Sequence, residues 1–340
     1  MKRGARVNIY DVSQMAGVSI ATVSRVLNGS PNVSEKTKEK VIRVMEEMGY
    51  TPNVFARGLG LNTMKTIGIM CPDSSDPYMA NAVYYLEQGL RSHGYDSILC
   101  CTGYSLENKK KSLSLLLSKR VDALILVGSK FVELKAKDNE YLKTAAGEVP
   151  LMLINGCLKG KNIYCTVCDD RSAIHLAVKR LIADGRKDIL YLHTSDAYSG
   201  ASKLKGYKDA LTAAGLPVRD GYIRQCPKDI SAARELISRL RDEGLSFDAV
   251  VVSDDELAVG AVKYAHAAGI SIPDELSVIG YNNSLLSRCT DPELSSIDNK
   301  VEAMCTTTVN TLMGVFGGIN VPAKTIIAAD LILRETTNFI

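Results

Sequence analysis

Residues 19–28 read Ser-Ile-Ala-Thr-Val-Ser-Arg-Val-Leu-Asn. Wound as a helix, this stretch turns Val23, Val26 and Leu27 to one side. The other side presents Ser19, Ile20, Ala21, Thr22, Ser24, Arg25 and Asn28, which are small, hydroxylated or basic, with no acid among them. A polyanion can approach such a face closely. Arg25 can donate bidentately to guanine O6 and N7, whereas Ile20 and Ala21 can meet only apolar base features such as the thymine methyl. Other chemistry finds little support. His193-Thr-Ser-Asp196 carries the residue types of a nucleophilic triad, but adjacency along one strand end cannot arrange them. The chain has no GxSxG elbow, no P-loop and no GxGxxG opening a helix. His93, His175, His193 and His266 lack metal-ligand spacing. Cys165-Thr-Val-Cys168 lacks a second pair and a nearby histidine, so it reads as buried thiols. We expect no enzyme, no metal and no cofactor.

The elements that must hold the 19–28 face are short helices. Asn8 suits the cap of a first helix with Val12, Met15 and Ala16 on its apolar side. Gly17-Val18 makes a tight turn, since glycine takes a positive φ at little cost. Ser19 caps the second helix, Ile20 to Leu27, and Asn28-Gly29-Ser30-Pro31 stops it. Ser34 caps a third, with Val41, Met45 and Met48 recurring at helical spacing before Gly49. Two short helices about a glycine turn, buttressed by a third, make a helix-turn-helix. Helical spacing alone fits a small bundle with no role on DNA equally well; the acid-free outward face tips the balance. Charge agrees: residues 1–60 hold nine Lys/Arg against five Asp/Glu, whereas the remainder holds 32 against 33.

The 340 residues suggest two or three domains, at roughly 100–200 residues each. Nine irregularly spaced cysteines fit reduced thiols in the cytoplasm. The N-terminus lacks the apolar core of a signal peptide, and no apolar stretch approaches a membrane span.

The segment from Asp11 to Leu59 strongly resembles the headpiece of the lactose/galactose repressor (LacI/GalR) family. The resemblance rests on Ala16-Gly17-Val18-Ser19, Thr22-Val23-Ser24-Arg25-Val26-Leu27-Asn28, Gly49-Tyr50, Pro52-Asn53, Ala56-Arg57 and Leu59. It implies a second helix in the major groove, with Ile20, Ala21 and Arg25 reading bases and Thr22, Ser24, Asn28 and Tyr50 touching phosphates. Tyr50 reads equally well as a core aromatic. Residues 51–60 resemble the family's hinge helix, in which Leu59 would wedge into the minor groove beside Asn53, Ala56 and Arg57. Gly58 and Gly60 disfavour a helix there by about 1 kcal/mol each. The hinge is therefore expected to be helical only on DNA.

From Lys65 onward, apolar runs at 66–71, 97–101, 123–127, 151–154, 189–193, 249–252 and 276–280 read as buried parallel strands. Helical stretches such as 79–92, 171–183, 232–242 and 256–268 alternate with them, arguing for doubly wound α/β. The resemblance continues through Pro72-Asp73, Asp76-Pro77-Tyr78, Gly206-Tyr207, Ser253–Ala261 and Ile272–Tyr281. It implies a two-lobed core of the periplasmic-binding-protein type with an effector between the lobes. The expected domains are a headpiece at 1–50, a hinge at 51–63 and a core at 64–340. The first lobe would take 64–162 and 294–322 and the second 163–293 and 323–340, with crossings near 163, 293 and 323.

The implied effector contacts are Asp73, Tyr78, Asn155, Lys203, Asp254 and Asn282. Lys203 stands where the family usually has arginine and Asn282 where it usually has aspartate, so a planar fork and a negative charge are lost. Asn155-Gly156 replaces an acid–aromatic pair found in some members. Three readings stay open: an ordinary sugar in an altered pose, an anionic ligand using Lys203, or control by a phosphorylated carrier protein as in the catabolite-control branch. Lys203 alone reads as well as a solvated surface lysine. The expected assembly is a homodimer on a near-palindromic operator. A solute-binding protein of this fold is the other class weighed, and it would lack the headpiece.

Overall fold

The computed structural model describes residues 7–50 and 63–339. Helix α1 spans Ile9–Ala16 under a complete capping box: Asn8 Oδ1 accepts from the Tyr10 and Asp11 amides, and Asp11 Oδ2 accepts from the Asn8 amide. Gly17 turns the chain at φ +61°. Helix α2, Ile20–Leu27, starts at Ser19, whose Oγ accepts from the Thr22 amide at 3.1 Å. Helix α3, Glu35–Glu47, starts the same way at Ser34. Val12, Ala16, Val23, Val26, Val41 and Val44 form the core of this unit.

Two expectations for this core give way. Met15 is 64% exposed, because Val12 and Ala16, four apart, occupy the inward stripe of so short a helix. In α3 the interior pair is Val41 and Val44, with Met45 and Met48 half-buried at the rim.

The remainder of the chain carries two six-stranded sheets. The first contains β1 (Thr66–Cys71), β2 (Asp96–Cys101), β3 (Ala123–Val127), β4 (Leu151–Ile154), β5 (Ile163–Cys168) and β11 (Lys324–Ile327), in the order β11-β5-β4-β3-β1-β2. The second contains β6 (Ile189–His193), β7 (Ile223–Gln225), β8 (Ala249–Val252), β9 (Ser277–Tyr281), β10 (Ser295–Asp298) and β12 (Asp330–Ile332), in the order β12-β10-β9-β8-β6-β7. Pairing is parallel at β1–β3, β3–β4, β4–β5 and β5–β11, and at β6–β7, β6–β8, β8–β9 and β9–β10. The β10–β12 pair is antiparallel.

Helices cover these sheets: α4 (Pro77–Ser92), α5 (Leu106–Ser118), α6 (Glu140–Glu148) and α11 (Val301–Phe316) in the first lobe, and α7 (Asp170–Ala183), α8 (Tyr198–Ala213), α9 (Ile230–Asp242) and α10 (Asp255–Ala268) in the second. Strands covered on both faces must be apolar throughout, and every residue of β3, β4 and β8 is buried.

The crossings between lobes fall later than the expected 163, 293 and 323. β5 pairs with β4, β10 with β9, and β11 with β5, so the chain changes lobe only after Cys168, Asp298 and Ile327. β5 went unread because Tyr164 and Thr166 interrupt its apolar run, and only sheet pairing reveals it as a strand.

Candidate functional site

The outward face of α2 is as composed as its sequence indicates. Ile20, Ala21 and Arg25 are exposed, while Thr22, Ser24 and Asn28 are half-buried. Ser19 Oγ and Thr22 Oγ1 lie 2.9 Å apart at the helix start, where backbone donors and the helix dipole favour a phosphate. The headpiece acids lie elsewhere: Asp11 is spent in the α1 cap, and Glu35, Glu39, Glu46 and Glu47 lie on α3. Tyr50 packs half-buried against the headpiece core, so its ring has a structural role there. Asn53, Ala56, Arg57 and Leu59, with the hinge expectation, lie outside the described residues.

A second site lies between the two sheets. Doubly wound sheets bind ligands beyond the carboxyl ends of their strands, where strand order reverses. In the first sheet this is the β1/β3 junction, and in the second the β6/β8 junction. The lining follows that rule: Pro72 after β1, Ser129 and Lys130 after β3, Asn155 after β4, Thr194 and Ser195 after β6, Lys228 after β7, Asp254 after β8 and Asn282 after β9. The cavity is small, about 100 Å³, against roughly 300–1,000 Å³ for typical ligand pockets.

Five of the six effector positions read from sequence line this cavity: Tyr78, Asn155, Lys203, Asp254 and Asn282. Asp73 does not. Its carboxylate turns onto Ser75, accepting from the amide at 2.9 Å and the hydroxyl at 2.7 Å, and these bonds hold its carboxyl below the ordinary aspartate range. Asp76, three residues on, lines the cavity in its place.

Lys203 is not a solvated surface lysine. It is 6% exposed, donates to the Ser253 carbonyl at 2.8 Å and sits 3.5 Å from the Tyr281 ring centre. Asp254 Oδ2 accepts from Ser253 Oγ at 2.7 Å and Thr194 Oγ1 at 2.9 Å; its Oδ1 accepts from Asn282 Nδ2 at 3.3 Å. Burial alone would raise the Asp254 carboxyl, but Lys228, Lys203 and the two hydroxyls outweigh it and leave it lowered.

Both asparagines sit at positive φ, Asn155 at +59° and Asn282 at +100°, where asparagine and aspartate occur more often than most other L-residues. Their side chains are already engaged. Asn155 donates to Tyr78 Oη at 2.8 Å and accepts from the Cys168 amide at 3.1 Å. Asn282 also accepts from Asn299 Nδ2 at 2.9 Å. Because its Nδ2 donates to Asp254, which a carboxylate could not do, Asn282 has a structural reading beside the ligand one.

Sequence reading missed Asp76, Lys130, Thr194, Ser253 and Lys228. A signal existed: each lies in a segment following a strand end. Lys228 also directly precedes Asp229, whose side chain caps α9. Lys228 Nζ is 2.7 Å from Asp76 Oδ2, 3.2 Å from Asp254 Oδ1 and 3.5 Å from Glu256 Oε1. Burial opposes its charge, yet Asp254, Asp76 and Glu256 prevail and hold the ammonium well above the ordinary lysine range. His193 and Asp196 do approach, at 3.5 Å, but Ser195 Oγ accepts from the Ala197 amide. Among the described residues no group of three His, Cys, Asp or Glu is placed to hold a metal, and no helix is long and apolar enough to cross a membrane.

Residues 8–53 match the sequence model for bacterial regulatory proteins of the lacI family, and residues 64–335 match that for periplasmic binding proteins and the sugar binding domain of the LacI family. The chain is 61% identical, over 98% of its length and 100% of the relative's, to an HTH-type transcriptional regulator of Lachnoclostridium phytofermentans. It is 35% identical to catabolite control protein A of Priestia megaterium, over 86% of this chain and 87% of that one. Among solved structures it is similar to the lac repressor dimer bound to operator and the anti-inducer ONPF. That likeness has a TM-score of 0.89 and 26% identity, covering 98% of this chain and 99% of the other.

Proposed function

Since the chain belongs to the LacI family of bacterial regulatory proteins, and so is a DNA-binding transcription regulator, we propose that it represses carbohydrate-related genes. In this reading it works in the cytoplasm as a homodimer on a near-palindromic operator, and a polyhydroxylated effector in the inter-lobe cleft sets its affinity for DNA. The observation that carries the DNA role is the acid-free face of α2 with Arg25 exposed upon it. Arg25 reads guanine, Ile20 and Ala21 meet apolar base features, and Ser19, Thr22, Ser24, Asn28 and Tyr50 lie along the phosphates. Asn53, Ala56, Arg57 and Leu59 carry the minor-groove part. The polar cleft supports the effector role, since Asp254, Asn282, Lys203 and Tyr78 converge on one cavity from both lobes.

The effector acts only through its differential affinity for the two lobe arrangements. The test is binding of the full chain to selected duplexes, by fluorescence anisotropy, with and without a panel of sugars and sugar phosphates. Sequence-selective binding shifted by one compound supports the reading; equal affinity for all duplexes would overturn the DNA role. One observation favours a second form of control. A cavity of about 100 Å³ is tight for any sugar, which suits regulation by a phosphorylated carrier protein. DNA affinity that answers to such a protein and to no small molecule would establish that form.

A further inference from the structure

The cleft already contains a ligand of its own. Lys228 extends from the loop after β7 in the second lobe and places its ammonium on Asp76 of the first, 2.7 Å away. The same nitrogen faces Asp254 and Glu256 of the second lobe. It thus bridges the lobes at the site assigned above to the effector.

Two constraints follow. With Lys228 in place, the cavity of about 100 Å³ falls below the roughly 300 Å³ minimum of ordinary ligand pockets. Moving the Lys228 side chain or parting the lobes makes room for a sugar-sized molecule, and either motion loosens the contact with Asp76. The second constraint is charge. Lys130, Lys203 and Lys228 balance Asp76, Asp254 and Glu256 around the cavity. Without the Lys228 ammonium the three carboxylates face two lysines, and Asp76 keeps only the Met79 amide that donates to it at 3.1 Å at the start of α4. Hydroxyls can replace the hydrogen bonds but not the charge, and a buried carboxylate left without its cation is strongly disfavoured.

We propose that the site held by Lys228 is an ammonium subsite, and that the effector is a polyhydroxylated molecule bearing its own amino group, which takes the place of Lys228 between Asp76 and Asp254. This rests on the effector reading above and names the ligand's class. Lys228 is then the residue that sets specificity: neutral sugars compete with it poorly, and anions bring the wrong charge.

The test is chemical rescue of full-length Lys228→Ala, followed by thermal denaturation. n-Butylammonium chloride should raise the melting temperature of Lys228→Ala saturably, with sodium chloride at equal ionic strength as control, and should leave the wild type unchanged. Glucosamine should bind Lys228→Ala about tenfold or more tighter than glucose does, the factor expected for a charged against a neutral hydrogen bond. Glucose 6-phosphate should bind weakest. Lys228→Gln, which keeps a donor without the charge, serves if the alanine variant does not fold. A rescue no better than sodium chloride, or glucose binding as tightly as glucosamine, overturns the ammonium subsite. Wild-type binding of a neutral sugar or sugar phosphate, abolished by Asn282→Ala, would at the same time leave the cleft standing as the effector site. Silence of every compound in both proteins removes the two readings together.

Discussion

Replacing Arg25 by alanine separates sequence reading from mere phosphate attraction. Its side chain lies exposed in the last turn of α2, with no ion pair or hydrogen bond among the described residues. The headpiece core of Val12, Ala16, Val23, Val26, Val41 and Val44 is untouched by the change, so folding stability should stay within about 0.5 kcal/mol. A bidentate guanine contact is worth about 1–3 kcal/mol per half-site. Two equivalent, well-separated half-sites then lose about 2–6 kcal/mol, and a single half-site weakens by a factor of about 5–160. Non-specific duplex should lose only one charge interaction per protomer, two for the dimer, lowering the salt slope by about 1.8. The assay selects preferred duplexes with the wild type from a random pool. It then measures both proteins by anisotropy on that sequence, on its single-base variants and on unrelated duplex, over a range of salt. Relaxed discrimination at one symmetric base pair is the expected result. Equal losses on preferred and unrelated DNA would refute base reading and make Arg25 a phosphate anchor. A fall in melting temperature would instead place it in the headpiece structure.

Three further outcomes follow from the structure. Gly206→Ala should cost about 1–3 kcal/mol by overpacking, because its Cβ would lie 2.2 Å from the Arg171 carbonyl oxygen where α8 meets α7; a lower urea midpoint with an unchanged slope checks this. Asn8→Ala should cost about 1 kcal/mol by removing the α1 cap, seen as faster hydrogen exchange across Ile9–Ala16 and little change elsewhere. Asp254 is the pH test. Burial would raise its carboxyl, but Lys228, Lys203 and the Ser253 and Thr194 hydroxyls hold it lowered. A depressed folded value contributes stability above the unfolded value near 3.9 and loses it as pH falls through the folded one. The stability advantage of the wild type over Asp254→Asn should accordingly be full at neutral pH and shrink once the pH drops below about 4; an advantage unchanged through that range would contradict the assignment.

Much of this protein was legible in the chain because its signals are local. Asn8, Ser19 and Ser34 cap helices through bonds to residues two or three positions away, and Gly17 turns at φ +61° for reasons internal to its own backbone. The acid-free face of α2 is a matter of helical period alone. β3, β4 and β8 announce burial on both sides by carrying no polar residue. What required the tertiary structure is whatever depends on partners far along the chain. β5 became a strand only through β4 and β11, which moved the lobe crossings beyond Cys168, Asp298 and Ile327. Asp73 and Asp76 were alike in sequence, but only Asp76 meets the cleft, because Ser75 captures Asp73 locally while Lys228 reaches Asp76 from the other lobe. Lys203 and Lys228 were two lysines among many until the fold buried one against Tyr281 and set the other among three carboxylates. Caps, turns and periodicity act over a few residues and are written in sequence order. The charge balance of a cleft between two lobes is set by groups that folding alone brings together.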